Sequence, residues 1–201
     1  MPIKTIIFDL GGVYFTDGAN ICVKKLSSEF GIQEEKIMES MRSRFGNDYR
    51  KGNISEKEFF ESMKKHCKIS APAEKLAHTW HSCYEPIEEV VNIVKRLREK
   101  GYEVIFLSNN VKERVEFLQK KYSFIEQFHD GVFSHIVKAT KPDIEIYQHI
   151  LKKTKNKPEE CVFIDDRADY LIPAEQLGMK GIHFRNAGQL EEELKGLGID
   201  V

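Results

Sequence analysis

Four short segments of the chain place polar side chains directly after apolar runs. Asp9 follows TIIF, Ser108-Asn109-Asn110 follow VIFL, and Asp165-Asp166 follow VFI. Lys141 stands before Pro142, just past the region 133–137. If the runs are parallel strands of one sheet, all four sites share one edge, where open α/β sheets bind ligands. A carboxylate there can be a nucleophile or a metal ligand, a lysine can neutralise an anion, and a serine hydroxyl can hydrogen-bond one. An aspartate after a strand can equally be a turn or N-cap residue, but four such sites in one order are harder to explain that way. Asp9, Asp165 and Asp166 together put three negative charges in one crevice, and like charges raise one another's pKa unless something cancels them. Lys141 supplies one positive charge. A divalent cation would supply the rest, and an all-oxygen ligand set points to magnesium.

The elements that must position these groups are legible as short, β-branched or aromatic runs. They fall at Thr5–Phe8 and at 103–107, 131–134, 161–164 and 181–184. None alternates strictly, as expected for strands buried on both faces of a parallel sheet. Helical periodicity precedes each of the last four, at 87–100, 112–121, 143–153 and 168–177. Gly101 and Gly178 follow two of these helices and Pro142 opens another. Strands alternating with helices predict a doubly wound α/β sheet. From about residue 20 to Tyr84 the alternation stops, and four helices are predicted at 23–30, 34–45, 55–67 and 72–82. Ser55 with Glu58 reads as a capping box. This block follows the first strand, so it emerges at the ligand-binding edge and could act as a lid or simply as extra packing. A surface helix is expected at 190–197.

Composition limits the alternatives. The 201 residues are 41% hydrophobic and 31% charged, with 31 basic against 32 acidic side chains. That mixture is globular and gives no electrostatic argument for nucleic acid or an anionic membrane. No apolar run approaches the roughly 18 residues of a membrane span. MPIKTIIF lacks a signal-peptide core, so a cytoplasmic location is expected. The four cysteines, Cys22, Cys67, Cys83 and Cys161, match no zinc spacing and are expected to be free thiols.

With these motifs in hand, the sequence resembles the haloacid dehalogenase-like hydrolase superfamily across essentially its whole length. The resemblance rests on hhhhDxxGG, hhhLSNN, the lysine before proline, hhhDD and the helical block after the first motif. It implies a Rossmann-like three-layer core over residues 1–18 and 85–201, with a small helical cap at 19–84. By the same resemblance Asp9 attacks phosphorus to form an aspartyl-phosphate. Ser108 holds the phosphoryl oxygens, assisted by Asn109, and Lys141 neutralises charge. Asp166 binds Mg2+ directly, Asp165 does so through water or orients the site, and Gly11 offers its backbone carbonyl. Gly12 permits the turn into the cap, and Asp169 either stands behind the metal ligands or starts a helix. The implied protein is a monomer or homodimer acting on a small phosphorylated metabolite.

One position departs from the pattern. Most phosphatases of this superfamily carry a second aspartate two residues after the nucleophile, as proton donor and then base; here Gly11 stands there. Loss of such a group typically costs about 10²–10⁴ in rate. The favoured reading is a phosphatase whose leaving group needs less help, as in a sugar 1-phosphate, or whose acid comes from elsewhere. The family's glucose-1-phosphate phosphatase type has glycine at this place, and the chain resembles it also in GNIS, LSN, KPDIEIYQHIL and DDRAD. A metal-independent 2-haloacid dehalogenase is an alternative, although those enzymes carry Ser and Asn where this chain has Asp165-Asp166. A third reading is a non-catalytic or weakly active descendant that binds a phosphorylated ligand or a partner. Among other residues, Arg50 and Lys51 could reach the substrate or lie on a solvated face. Asp17 could replace the missing acid or form a turn before Gly18. Tyr14 and Phe15 could line the pocket or the core, and His78, Trp80 and His81 are expected in packing or at the surface.

Overall fold

The structure, a computed structural model, describes residues 2–201. Five parallel strands form one sheet in the order β3-β2-β1-β4-β5. They are β1 (Thr5–Phe8), β2 (Glu103–Ser108), β3 (Asp130–Phe133), β4 (Cys161–Asp165) and β5 (Lys180–His183). β1 is central, paired in parallel with β2 on one side and β4 on the other. Its Phe8 lies level with Phe106 and Ile164. Asp9, Ser108 and Asp165 therefore emerge at a common rim.

The strand sequences lack alternation because both faces are covered. Ile6, Phe8, Val104, Phe106, Val162 and Ile164 belong to one buried cluster; Ile7, Ile105, Leu107, Val132 and Phe163 belong to the other. The first face packs against α6 (Glu88–Glu99), α7 (Lys112–Tyr122) and α11 (Ala187–Gly196), through Val90, Val94, Leu118 and Leu190. The second packs against α9 (Ile144–Leu151) and α10 (Ala168–Gln176), through Ile146, Tyr147, Ile150 and Ala174. Each large aliphatic or aromatic side chain buried this way contributes about 1.5–3 kcal/mol. The result is the predicted three-layer α/β sandwich. No helix of the described residues is long and apolar enough to cross a membrane, and all four cysteines are free and buried.

Among the described residues, five helices, not four, fill the insert between β1 and Tyr84, ahead of α6. They are α1 (Gly18–Phe30), α2 (Glu34–Arg42), α3 (Arg44–Arg50), α4 (Glu56–Cys67) and α5 (Ala73–His81). The helix expected at 34–45 breaks at Ser43, which is extended at ψ 169° and whose Oγ accepts from Gly46 N at 3.2 Å. Gly46 permits the sharp corner: a Cβ there would stand 2.1 Å from the Met41 carbonyl oxygen. The capping box at Ser55 and Glu58 forms as expected. α1 begins at Gly18, earlier than its apolar pattern suggests, because Asp17 caps it by accepting from Asn20 N at 3.2 Å. α8 (Ser134–Val137) takes up the short region before Lys141.

The corner and a control glycine make the packing testable. Gly46→Ala should lower stability by about 1–3 kcal/mol through overpacking against Met41. Gly196→Ala should be neutral or raise it by up to about 1 kcal/mol, since nothing lies within 4 Å of the added Cβ. Urea unfolding midpoints of the two variants would check the contrast.

Candidate active site

β1 delivers Asp9 to the rim and fixes it there: its backbone N–H donates to the Ile164 carbonyl at 2.8 Å. The chain then turns tightly, with Phe15 N donating to Leu10 O at 2.7 Å and Gly12 N to Phe15 O at 2.8 Å. Gly12 has φ +93°. A Cβ there would stand 2.5 Å from Asp166 Oδ2, so this glycine lets the Asp166 carboxylate close on the first loop.

The centre of the site is an ion triad. Lys141 Nζ stands 2.8 Å from Asp9 Oδ1 and 2.6 Å from Asp165 Oδ2, and all three side chains are at most 9% exposed. Asp165 Oδ1 accepts from Arg167 N at 2.9 Å, so both its oxygens are engaged. Burial works against the Lys141 ammonium, but Asp165 and Asp9 outweigh it and hold its pKa above the ordinary range. Asp9 moves the other way. Burial pushes it up to about 7; Lys141 opposes this, while Asp165 and Asp166 add to it. Burial and then Asp165 push Asp166 up to about 6. One ammonium therefore does not cancel the acids. Asp9, Asp165 and Asp166 can each offer an oxygen within 4.8 Å of the others, a grouping that fits a metal ion. Carboxylate donors of this kind suit magnesium.

Around the triad is a cavity of ≈ 180 Å³ whose lining includes Asp9, Gly11, Ser108, Asn109, Lys141 and Asp166. Ser108 ends β2 at 2% exposure. Asn109 lines the cavity with its amide also engaged by the protein. Its Oδ1 accepts from Lys141 N at 2.8 Å and its Nδ2 donates to Lys141 O at 3.0 Å, so it clamps the lysine's backbone. Arg50 neither lines the cavity nor lies free in solvent. Its guanidinium donates to Met41 O at 2.9 Å, and its carbonyl accepts from Ser134 Oγ at 2.7 Å, joining α2 and α3 to the sheet domain. Lys51 pairs with Asp143 at 3.1 Å. Asp169 lies in the first turn of α10 and pairs with Arg167 at 2.6 Å. Phe15 lines the cavity, as does Asp17. His81 is buried and meets Glu56 at 2.5 Å. His78 instead faces Phe117, its ring 6.0 Å away edge-to-face, so the two histidines have separate partners.

Two cavity residues carry no signal strong enough to find in sequence. Tyr84 ends the helical insert and borders Gly11, with its Cε1 3.5 Å from where a Cβ at Gly11 would be. Arg114 lies one helical turn after Asn110; its Nε donates to Asn110 Oδ1 at 2.7 Å and its Nη1 to the Tyr84 hydroxyl. The i, i+4 spacing of Asn110 and Arg114 is the only hint the sequence offers. Gly11 itself is not among the glycines with positive φ, and its added Cβ makes only an ordinary contact. The backbone there does not require glycine, and a Cβ fits.

The Asp9 pKa has a consequence for the metal-free protein. Folding raises it from 3.8 to about 7, so the native state holds this proton more tightly than the unfolded chain. The contribution is fully present below the unfolded value and is lost as pH rises through about 7. A cation requires the ionised form, so magnesium affinity should climb between about pH 6 and 8, by up to roughly tenfold per unit. Calorimetric titration with Mg2+ in buffers of different ionisation heat would show the released proton. Binding that is independent of pH would contradict this assignment.

Comparison with known proteins agrees with this geometry. Residues 3–178 match the family described as haloacid dehalogenase-like hydrolase. A sesquiterpene phosphatase of Aspergillus oryzae is 25% identical over 96% of each chain. A flavin mononucleotide hydrolase of Arabidopsis thaliana is 26% identical over 86% of this chain and 69% of its own. Among solved structures, a HAD family enzyme of Bacteroides thetaiotaomicron in complex with magnesium superposes with a TM-score of 0.80 at 23% identity, over 97% of this chain and 99% of that one. Its complex with magnesium and inorganic phosphate gives 0.74 at 26% identity, over 92% and 96%. The fold, the family match and the rim of acids around a buried lysine agree: the chain belongs to the haloacid dehalogenase-like hydrolase family.

Proposed function

We propose that the protein is a magnesium-dependent phosphatase of small phosphomonoesters, with a sugar 1-phosphate as preferred substrate and Asp9 as nucleophile. The observation that carries this reading is the buried Lys141 bridging Asp9 and Asp165 beside a third acid. A dehalogenase acting on an anionic 2-haloacid has no use for so many carboxylates. A phosphatase does, because a cation bound there offsets the charge of the phosphate. The names of the relatives support phosphate chemistry, and one similar structure holds magnesium and phosphate together.

In this reading an Asp9 oxygen attacks phosphorus while Lys141 keeps the second negative charge in check. Ser108, at the end of β2, hydrogen-bonds the phosphoryl oxygens. Asp165, locked by Lys141 and Arg167, holds the lysine in register, and Asp166 with Asp9 and the Gly11 carbonyl would hold magnesium. The ion, when bound, supplies Lewis-acid charge to the phosphoryl group. Water then hydrolyses the aspartyl-phosphate. The cavity of ≈ 180 Å³ is below the roughly 300–1,000 Å³ of sites for drug-sized ligands, which favours a small ester over a terpenoid or a flavin nucleotide. Phe15, Tyr84 and Tyr170 give it aromatic walls suited to a sugar ring. The helical insert, residues 19–84, acts as the cap over it.

A panel of phosphate esters with and without magnesium tests the reading. Phosphate release should require the ion and favour sugar 1-phosphates, and Asp9→Asn should abolish it. Unchanged turnover in the variant would remove Asp9 as nucleophile, and metal-free release of chloride from 2-chloropropionate would favour the dehalogenase. Gly11→Asp should fold normally and should raise hydrolysis of poor leaving groups more than that of sugar 1-phosphates.

A further inference from the structure

Resting on the phosphatase reading, we propose that Tyr84 is the proton donor to the leaving oxygen, held and polarised by Arg114, in place of the acid absent at position 11. A side chain at Gly11 would project toward the edge of the Tyr84 ring, so the phenol borders the space that an acid would occupy. The ring is seated closely: a Cβ on Gly18 would stand 2.4 Å from Tyr84 Cγ, so only glycine lets the ring lie there.

The hydroxyl is partnered on one side only. It accepts from Arg114 Nη1, and among the described residues it donates to no protein acceptor. Tyr84 is 8% exposed, and a buried phenol normally finds an acceptor for its proton. Tyr84 and Arg114 both line the cavity that also holds Asp9 and Ser108. Arg114 is 5% exposed and has no carboxylate ion partner among the described residues. Its guanidinium carbon lies 4.5 Å from the Tyr84 ring centre and 5.9 Å from that of Trp80. Burial pushes the Tyr84 phenol up to about 12, so it is protonated at neutral pH, and the facing Arg114 cation opposes that shift and stabilises the phenolate that forms as the proton leaves. Asn110 fixes the cation to the loop that carries Ser108, so donor and phosphoryl site are mechanically one unit.

The steps balance. An Asp9 oxygen bonds to phosphorus as the ester P–O bond breaks, and the leaving oxygen takes the Tyr84 proton, leaving a phenolate beside Arg114. Water then attacks phosphorus, the bond to Asp9 breaks, and the proton the water loses returns to Tyr84. One ester and one water become one alcohol and one phosphate.

The test is the dependence of rate on leaving group. With magnesium present, Tyr84→Phe should cut kcat/KM for an alkyl phosphate such as a sugar 6-phosphate by about 10²-fold or more. It should leave p-nitrophenyl phosphate, whose leaving group needs no proton, nearly unchanged. Equal losses on both esters, or none on either, would overturn the proposal. A second cycle guards against a folding defect: in a Gly11→Asp background the new acid should shrink the alkyl-phosphate loss caused by Tyr84→Phe. The same fold-loss in both backgrounds would also overturn it. If the unmodified enzyme hydrolyses neither ester with magnesium, the phosphatase reading fails and takes the proposal with it. If it hydrolyses both and the variant treats them alike, only the assignment of Tyr84 fails.

Discussion

A lysine ammonium buried between two carboxylates is tolerable only if every other part of the site is held still. Lys141 meets Asp9 at 2.8 Å and Asp165 at 2.6 Å, almost entirely out of water. Breaking such a pair by removing one partner typically costs about 3–5 kcal/mol. The surroundings fit that demand. Asn109 clamps the lysine's backbone on both its donor and its acceptor side. Arg167 N occupies the second oxygen of Asp165, and the β4 carbonyl of Ile164 holds the backbone of Asp9. Three strands and one loop are thereby committed to a single charge. The sheet order follows this need, because β1 sits between the strands that carry Ser108 and Asp165.

The same triad explains why the site is chemically unfinished as a set of side chains. Two ionised acids beside one lysine already leave a net charge of −1, Asp166 adds a third acid, and burial together with these like charges makes Asp9 favour its protonated form up to about pH 7. The fold stores an unmet demand for positive charge, and the position of Gly12 brings the third carboxylate close enough for a single cation to meet it. Stability and function pull in opposite directions here: the ionised carboxylates that make the site useful are the groups that folding disfavours.

How much of this could be read from sequence varies by residue. Asp9, Ser108 and the Asp165-Asp166 pair were visible because each follows an apolar run, and a parallel sheet gathers such ends; Lys141 instead lies beyond α8, well past the end of β3, and was legible only as a lysine before proline. The break at Ser43 was not, since α2 and α3 keep an apolar pattern that runs on through the corner, and only the close approach of Gly46 to Met41 reveals it. Arg50 sits beside a turn that does dock on the sheet domain, yet a long flexible side chain can point several ways, and here it points back to Met41. Asn109 could be placed at the rim, but an amide that serves a ligand and one that serves a neighbouring backbone look the same in one dimension. Tyr84 and Arg114 were beyond reach because they are 30 residues apart and meet only through the fold.

The two strands of chain that join the helical insert to the sheet run side by side. Thr16 N donates to Glu85 O at 2.8 Å, Ile87 N donates to Tyr14 O at 2.9 Å, and Phe15 bridges to Pro86. A swing of the insert would have to pivot on this short ladder. Tyr84 is the residue immediately before it, and its hydroxyl is tied to Arg114 of the sheet domain, so an opening of the insert would carry α1 to α5 away while that bond keeps the phenol beside Gly11. An open molecule would then keep its nucleophile but not its full enclosure, and the hinge itself would act as a timing device, coupling admission of substrate to assembly of the pocket.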